Sequence, residues 1–212
     1  MKYSRYSILL IPILFAVFAV MGRGFLFRAG VSASCAVILW FMTGQYAGRS
    51  IRWVMAALLV SVAGDWFMSH SGGVSVRFIY GVCLFFIAHV GFIIFCLKNG
   101  RINWYVLLSV LTGYLVFFFV ALRPVLSPPV LLVSVLAYLL VSCFSLAVAT
   151  GLSLPRTTRW CFSSGIALLV FSDTIIALKD FVGYTNLGIL ILPTYFASHI
   201  VVTLALITKV ST

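Results

Sequence analysis

The sequence predicts an all-α protein: a polytopic transmembrane bundle of about eight helices, with both termini cytoplasmic. Three observations lead there. The chain is too apolar for water, its apolar runs have spanning length and are punctuated by Gly, Pro and Ser, and its Lys and Arg residues favour one side of those runs.

Of 212 residues, 64% are hydrophobic and only 8% charged, with a mean hydropathy of +1.23. A soluble domain carries about 25% charged residues, so nearly the whole chain must sit in an apolar solvent. No stretch is polar enough to form a separate soluble unit, and residues 1–212 are expected to be a single transmembrane domain. The net charge of +11 comes from basic residues scattered singly between apolar runs. That is the pattern of positive-inside loops and headgroup contacts, not of a nucleic-acid surface. The five cysteines lie in or beside apolar runs without metal-ligand spacing and read as small buried residues.

The first helix is expected near 7–22. Lys2 and Arg5 precede it as in a signal peptide, but no small-x-small cleavage site follows, so it reads as an uncleaved span ending at Gly22-Arg23-Gly24. The second is expected near 30–47. The third, 53–69, begins at Trp53 and is divided from the fourth, 77–97, by Ser71-Gly72-Gly73. The fifth, 103–122, closes at Arg123-Pro124. Ser127-Pro128-Pro129 opens the sixth, 129–150, which stops at Ser153-Leu154-Pro155. The seventh and eighth are expected near 160–178 and 188–208. Lys2, Arg5, Arg49, Arg52, Lys98, Arg101, Arg156, Arg159 and Lys209 fall on one side of these spans. Arg23, Arg28, Arg77, Arg123 and Lys179 fall on the other, with Asp180 offsetting one. The richer side is cytoplasmic by the positive-inside rule, and Trp53, Trp104 and Trp160 open helices on that side at the expected interface.

The acidic residues number three. Asp180 sits beside Lys179 at a helix end and reads as a solvated pair. Asp65 and Asp173 fall within spans, where an Asp costs on the order of 3 kcal/mol on insertion scales. His89 and His199 also fall within spans, and His70 at a loop edge. With a rise of 1.5 Å per residue, Asp65 lies about 18 Å from Trp53 and Asp173 about 20 Å from Trp160. His89, Tyr195 and His199 come out in the same layer, in the middle to outer half of the membrane. Gly81, Phe85 and His89 share a helix face, as do Tyr195 and His199, while Ser61, Gly64, Asp65 and Met68 form one stripe. Small residues beside polar ones suit a close-packed interior face. A structural alternative pairs Asp65 with Arg77 and each histidine with a backbone carbonyl.

These motifs resemble the YhhN-type lysoplasmalogenase family of multi-pass membrane proteins. Gly64-Asp65 matches its Gly-Asp pair, and Gly81, Phe85, Ala88 and His89 match a Gly-x-x-x-Phe-x-x-Ala-His pattern. Gly165 followed by Phe171-x-Asp173 within Val170-Phe171-Ser172-Asp173 matches a later helix, and Thr194-Tyr195-Phe196-Ala197-Ser198-His199 the last. The resemblance runs from about residue 53 to the C-terminus. The chain departs from it at Arg28-Ala29, where members often carry Lys-Pro, at Phe92 and at His199.

The resemblance implies hydrolysis of the vinyl ether bond of lysoplasmalogens to a fatty aldehyde and a glycerophospho-headgroup. That chemistry asks for proton delivery to carbon, an oxocarbenium-like species and addition of water, jobs that two carboxylates in unlike surroundings can divide. The expected catalytic residues are Asp65, Asp173, His89 and His199. The expected substrate contacts are Tyr195, Ser172 and, for the headgroup, Arg77. The partners are a lysophospholipid and membrane lipids, in the inner membrane, with the oligomeric state open. No cofactor is expected, although two Asp and two His would also suit zinc or manganese. Buried Asp and His equally mark the ion paths of transporters, so a proton-coupled carrier and a hydrolase of another lipid bond stand as alternatives. No GxSxG elbow supports a serine lipase.

Overall fold

A computed structural model describes residues 6–43, 50–74, 76–127 and 129–210. Lys2, Arg5, Arg49 and Pro128, used above for orientation and punctuation, lie outside the described residues. Among the described residues, eight α-helices follow one another: α1 Leu10–Val20, α2 Phe25–Thr43, α3 Ile51–Ser69, α4 Val76–Lys98, α5 Trp104–Phe117, α6 Pro129–Thr150, α7 Arg156–Ala177 and α8 Ile191–Val210. Seven helical segments are long and apolar enough to cross a bilayer, so the chain is a multi-pass membrane protein. Helices suit that solvent because each satisfies its backbone hydrogen bonds internally. The first helix is the exception: with its leading 3₁₀ turn it covers only Ser7–Val20, about 21 Å against a hydrocarbon core of about 30 Å.

The expected boundaries need correction in four places. α2 starts at Phe25 rather than near residue 30, because Gly22 and Gly24 adopt φ of +77° and +101° and reverse the chain without a longer loop. That change carries Arg28 from a loop into a helix. α7 starts at Arg156, directly after Pro155, since proline's fixed φ suits a helix start. Pro193 sits in the first turn of α8, where no backbone donor is needed. Finally, α5 and α7 do not end as plain α-helix. Each passes into a π turn, Phe118–Leu122 and Leu178–Val182, and these turns pack against each other. α5 begins as its sequence suggests, with Asn103 Oδ1 accepting from the Val106 backbone N–H at 3.3 Å.

Six helices close a ring in the order α2–α3–α4–α6–α7–α8 and back to α2. α1 packs outside on α2 and α8, and α5 outside on α6. Leu9 at the start of α1 packs with Ile38 and Ile207 near the ends of α2 and α8, so the first and last helices have their outer ends at one end of the bundle. Arg52, Lys98, Arg101, Arg156, Arg159 and Lys209 belong to this basic end. Here Lys209 Nζ donates to Asn99 Oδ1 at 3.1 Å and lies 5.5 Å from the Phe95 ring. Exposed Trp53, Trp104 and Trp160 ring the same end.

Glycine sets the ring's tightest seams. A Cβ on Gly91 of α4 would lie 2.9 Å from the Trp53 carbonyl oxygen of α3, and one on Gly165 of α7 would lie 3.1 Å from the Ser198 carbonyl oxygen of α8. Small residues replace the hydrophobic effect as the means of joining helices in lipid, by permitting close van der Waals contact. Just inside the basic end, Phe92 and Phe95 of α4 meet Phe162 of α7 at ring-centroid distances of 6.5 and 5.1 Å. All three are fully buried and plug the ring.

Gly91→Leu should wedge α3 from α4, and overpacking of this kind costs about 1–3 kcal/mol. Thermal unfolding of the purified protein in detergent should show a clear fall in Tm, whereas the same change at Gly113, where a Cβ meets nothing within 4 Å, should not.

Candidate functional site

Beyond the aromatic plug, the ring opens into a cavity of about 370 Å³. Its mouth is at the end opposite the basic one, among Ser71, Gly73, Lys179, Asp180 and Gly188. Asp65 of α3, Asp173 of α7 and Tyr195 of α8 line it, and Arg28 of α2 borders it. The three acidic residues of the chain, Asp65, Asp173 and Asp180, therefore all face one cavity. Asp65 and Asp173 stand on helices that are not neighbours in the ring, so only the closed ring brings them to one space.

Asp65 is buried, faced by the hydroxyls of Tyr195 and Ser32 and by the Arg28 guanidinium. Local packing holds it there. The Phe85 ring lies over Gly64, where a Cβ would come within 2.7 Å of it, and edges onto Tyr195 at 5.8 Å. Ser69 Oγ donates to the Asp65 backbone carbonyl at 2.7 Å and accepts from Arg28 Nη1 at 3.4 Å. Asp173 pairs with a different set. Its Oδ2 lies 3.4 Å from His89 Nε2, and Ser142 Oγ lies 3.5 Å from the same nitrogen. Tyr138 faces Asp173 and stacks edge-on with the His89 ring at 5.5 Å.

The histidines form a layer behind the cavity wall. His89 stands behind Asp173, and His199 behind Tyr195 with ring centroids 4.5 Å apart. Ser32 Oγ lies 2.9 Å from His199 Nδ1. Four polar atoms of this group, Asp65 Oδ2, Tyr195 Oη, His89 Nδ1 and His199 Nε2, are buried with no hydrogen-bond partner among the described residues. A buried polar atom left unsatisfied costs about 1–3 kcal/mol, and such groups in native proteins call for a reason, such as a ligand or a catalytic role. Tyr195 and Ser32 face Asp65 without reaching hydrogen-bond geometry on Oδ2. The site is assembled but not internally satisfied.

Five expected residues thus come together: Asp65, Asp173, His89, Tyr195 and His199. Two do not join them. Ser172 is buried, does not line the cavity, and donates to the Ile191 carbonyl at 3.0 Å, tying α7 to the start of α8. Arg77 is exposed, donates to the His70 carbonyl at 3.2 Å and does not border the cavity. Its pairing with Asp65 is therefore absent, and Arg28 stands where that cation was sought. Arg28 and Ser32 on α2 and Tyr138 and Ser142 on α6 also belong to the site, although none stands out in the sequence as a site residue. Each pair is spaced four apart, the same signal that found Tyr195 and His199. Among the described residues, no three His, Cys, Asp or Glu side chains come together to hold a metal ion.

Compared with known proteins, the chain matches the model of the YhhN family over residues 25–206. The match begins at the start of α2, well before the region that carried the resemblance in sequence. No curated protein and no solved structure gives a match.

Because the Tyr195 hydroxyl is buried without a hydrogen-bond partner among the described residues, removing it forfeits no hydrogen bond among them. Tyr195→Phe should leave Tm unchanged or raise it, by up to about 1 kcal/mol of stability. A Tm several degrees below wild type would mean that the hydroxyl is structurally satisfied.

Proposed function

The chain belongs to the YhhN family, and from that premise and the make-up of the cavity we propose that it is a lysoplasmalogenase-like hydrolase of the cell's inner membrane. It cleaves the vinyl ether bond of a lysoplasmalogen to a fatty aldehyde and a glycerophospho-headgroup. One observation carries the reading: Asp65 and Asp173, from non-adjacent helices and in unlike surroundings, face a single cavity.

The roles divide by surroundings. Asp65 stands opposite Tyr195 with an unengaged oxygen, and it delivers a proton to the β-carbon of the vinyl ether. The positive charge that develops on the α-carbon and ether oxygen is stabilised by the Asp173 carboxylate. Water adds to that carbon and gives its proton to Asp173, which His89 orients at 3.4 Å. The resulting hemiacetal collapses. Asp173 returns its proton to the departing glycerol oxygen, and the hemiacetal hydroxyl reprotonates Asp65. Vinyl ether plus water thus becomes aldehyde plus alcohol, and both carboxyls are restored. Tyr195 holds the substrate oxygen, and His199, packed behind it with ring centroids 4.5 Å apart, positions the Tyr195 ring. Arg28 and Lys179, the cations bordering the cavity, take the headgroup phosphate.

The deciding experiment is aldehyde release from a lysoplasmalogen by the purified protein. Asp65→Asn and Asp173→Asn, each eluting as a folded species, should lose about 10²–10⁴-fold in turnover. Retained turnover in both variants would sink the scheme. No aldehyde from folded wild type would leave another lipid bond, or transport if liposomes take up solute.

The headgroup assignment makes a separate prediction. Arg28→Ala should raise KM about tenfold or more, since a charge-assisted hydrogen bond contributes about 1.5–3 kcal/mol. Arg77→Ala should leave KM and kcat near wild type. The reverse pattern in steady-state kinetics would return the phosphate to Arg77.

A further inference from the structure

A serine hydroxyl inside these helices has a usual outlet. Ser61 and Ser69 of α3 and Ser142 of α6 each donate to a carbonyl four residues back on their own helix, at 3.0, 2.7 and 2.9 Å. Ser32 of α2 does otherwise. It is fully buried, and its side chain crosses to α8, where Oγ lies 2.9 Å from His199 Nδ1. Ser32 also faces the Asp65 carboxyl of α3 and the Tyr195 hydroxyl of α8. It does not line the cavity, so it stands behind Asp65 rather than against a ligand.

A serine hydroxyl has one hydrogen and two lone pairs, and a neutral imidazole has one N–H and one acceptor nitrogen. Two arrangements follow. With the His199 proton on Nδ1, the ring donates to Ser32, and the Ser32 hydrogen turns to Asp65, where it favours a carboxylate. With the proton on Nε2, Ser32 donates to Nδ1 and turns a lone pair to Asp65, where it favours the protonated carboxyl. The geometry decides between them. An ionised carboxylate draws hydroxyl donors in to about 2.5–2.7 Å, yet neither Ser32 nor Tyr195 reaches hydrogen-bond geometry on Asp65 Oδ2. The bond that Ser32 does form runs to His199. Of the charged groups around Asp65, Arg28 directs Nη1 to Ser69 Oγ at 3.4 Å, and Asp173 pairs with His89 at 3.4 Å. Lys179 and Asp180 lie at the mouth.

We propose that Ser32 and His199 are positioning residues for Asp65: His199, as the Nε2–H tautomer, takes the Ser32 hydrogen, and Ser32 turns its lone pair to the carboxyl that donates the proton. This rests on the acid role given to Asp65 above. It adds a reason why Asp65 rather than Asp173 is the donor. The histidine beside Asp173 contacts that carboxyl directly, whereas the histidine near Asp65 acts through a hydroxyl whose hydrogen it draws away. It also gives His199 a task besides its packing on Tyr195. Neither positioning residue touches the substrate.

The test uses the full chain in nanodiscs with isotope-labelled histidine, read by nitrogen NMR. The chain has three histidines, and the resonances lost in His199→Phe are those of His199. Phenylalanine keeps a ring against Tyr195 while removing both nitrogens. The expected result is a neutral Nε2–H ring whose Nδ1 accepts a hydrogen bond, with that bond lost in Ser32→Ala. In parallel, infrared difference spectra against Asp65→Asn should show a protonated Asp65 carboxyl at neutral pH, weakened in His199→Phe, where the released Ser32 hydrogen donates to it. A His199 proton on Nδ1, or an Asp65 carboxyl unchanged in both variants, would overturn the proposal. In the aldehyde assay, Ser32→Ala and His199→Phe should each lower kcat about tenfold at unchanged KM, and Ser32→Thr, which restores the hydroxyl, should recover it. A fall in Tm with kcat unchanged would reduce both residues to packing and overturn the proposal. The expected tautomer and carboxyl without aldehyde release would uphold the hydrogen-bond arrangement and reject the vinyl ether reaction. Aldehyde release with an Nδ1–H ring would do the opposite.

Discussion

A carboxylate in hydrocarbon must be enclosed by protein, and this constraint organises the molecule. A buried acidic side chain is tolerated only where it faces an interior or a watery space and finds polar company. Two mid-helix carboxylates cannot both be shielded by a pair of helices. The ring of α2, α3, α4, α6, α7 and α8 gives them a common inside, while α1 and α5 are left to the periphery. Each ring helix supplies a polar group to that inside: Arg28 and Ser32, Asp65, His89, Tyr138 and Ser142, Asp173, Tyr195 and His199. The outer surface is correspondingly free of such demands and is covered by side chains such as Trp40, Phe41, Val130 and Leu140.

A ring of this kind holds a precise site only if its seams do not slide. Close approach at Gly91 and Gly165 fixes α4 against α3 and α7 against α8, which are also the helices carrying the carboxylates and His89. The Phe92, Phe95 and Phe162 plug then closes the basic end, so that the cavity opens at the opposite end alone among the described residues. Dispersion contacts and fixed seams do here what hydrophobic burial does in a soluble core. The positional stability they provide is what lets several buried polar atoms remain unsatisfied without collapse of the site.

Much of this was legible in the sequence because lipid enforces simple rules. Apolar length gave the helices, and the four-residue spacing of Tyr195 with His199 and of Phe85 with His89 gave the interior faces. The layer of Asp65, Asp173 and the histidines followed from counting rise per residue. What escaped was governed by geometry that spacing does not encode. The Gly22–Gly24 reversal started α2 earlier, and with Arg28 placed in a loop, the Arg28–Ser32 face was invisible. Tyr138 and Ser142 looked like ordinary members of an apolar helix, since neither is charged. Arg77 reads from the sequence as an interfacial cation, but its side chain finds the His70 carbonyl. The π turns leave no propensity signature, as their residues read simply as more helix.

The difference between the two carboxylates follows from which neighbours each ring position can reach. Asp173 lies where α7 faces α4 and α6 across the ring, so a histidine, a serine and a tyrosine gather around it. A histidine at 3.4 Å fixes the direction of this carboxyl, which suits the base of the proposed scheme. Asp65 lies where α3 faces α2 and α8, with hydroxyls near it and the Arg28 guanidinium engaged with Ser69. An oxygen without a hydrogen-bond partner is one that can carry or release a proton without breaking an existing bond. The same side chain can therefore hold opposite roles through placement alone, as pairs of carboxylates do in glycoside hydrolysis.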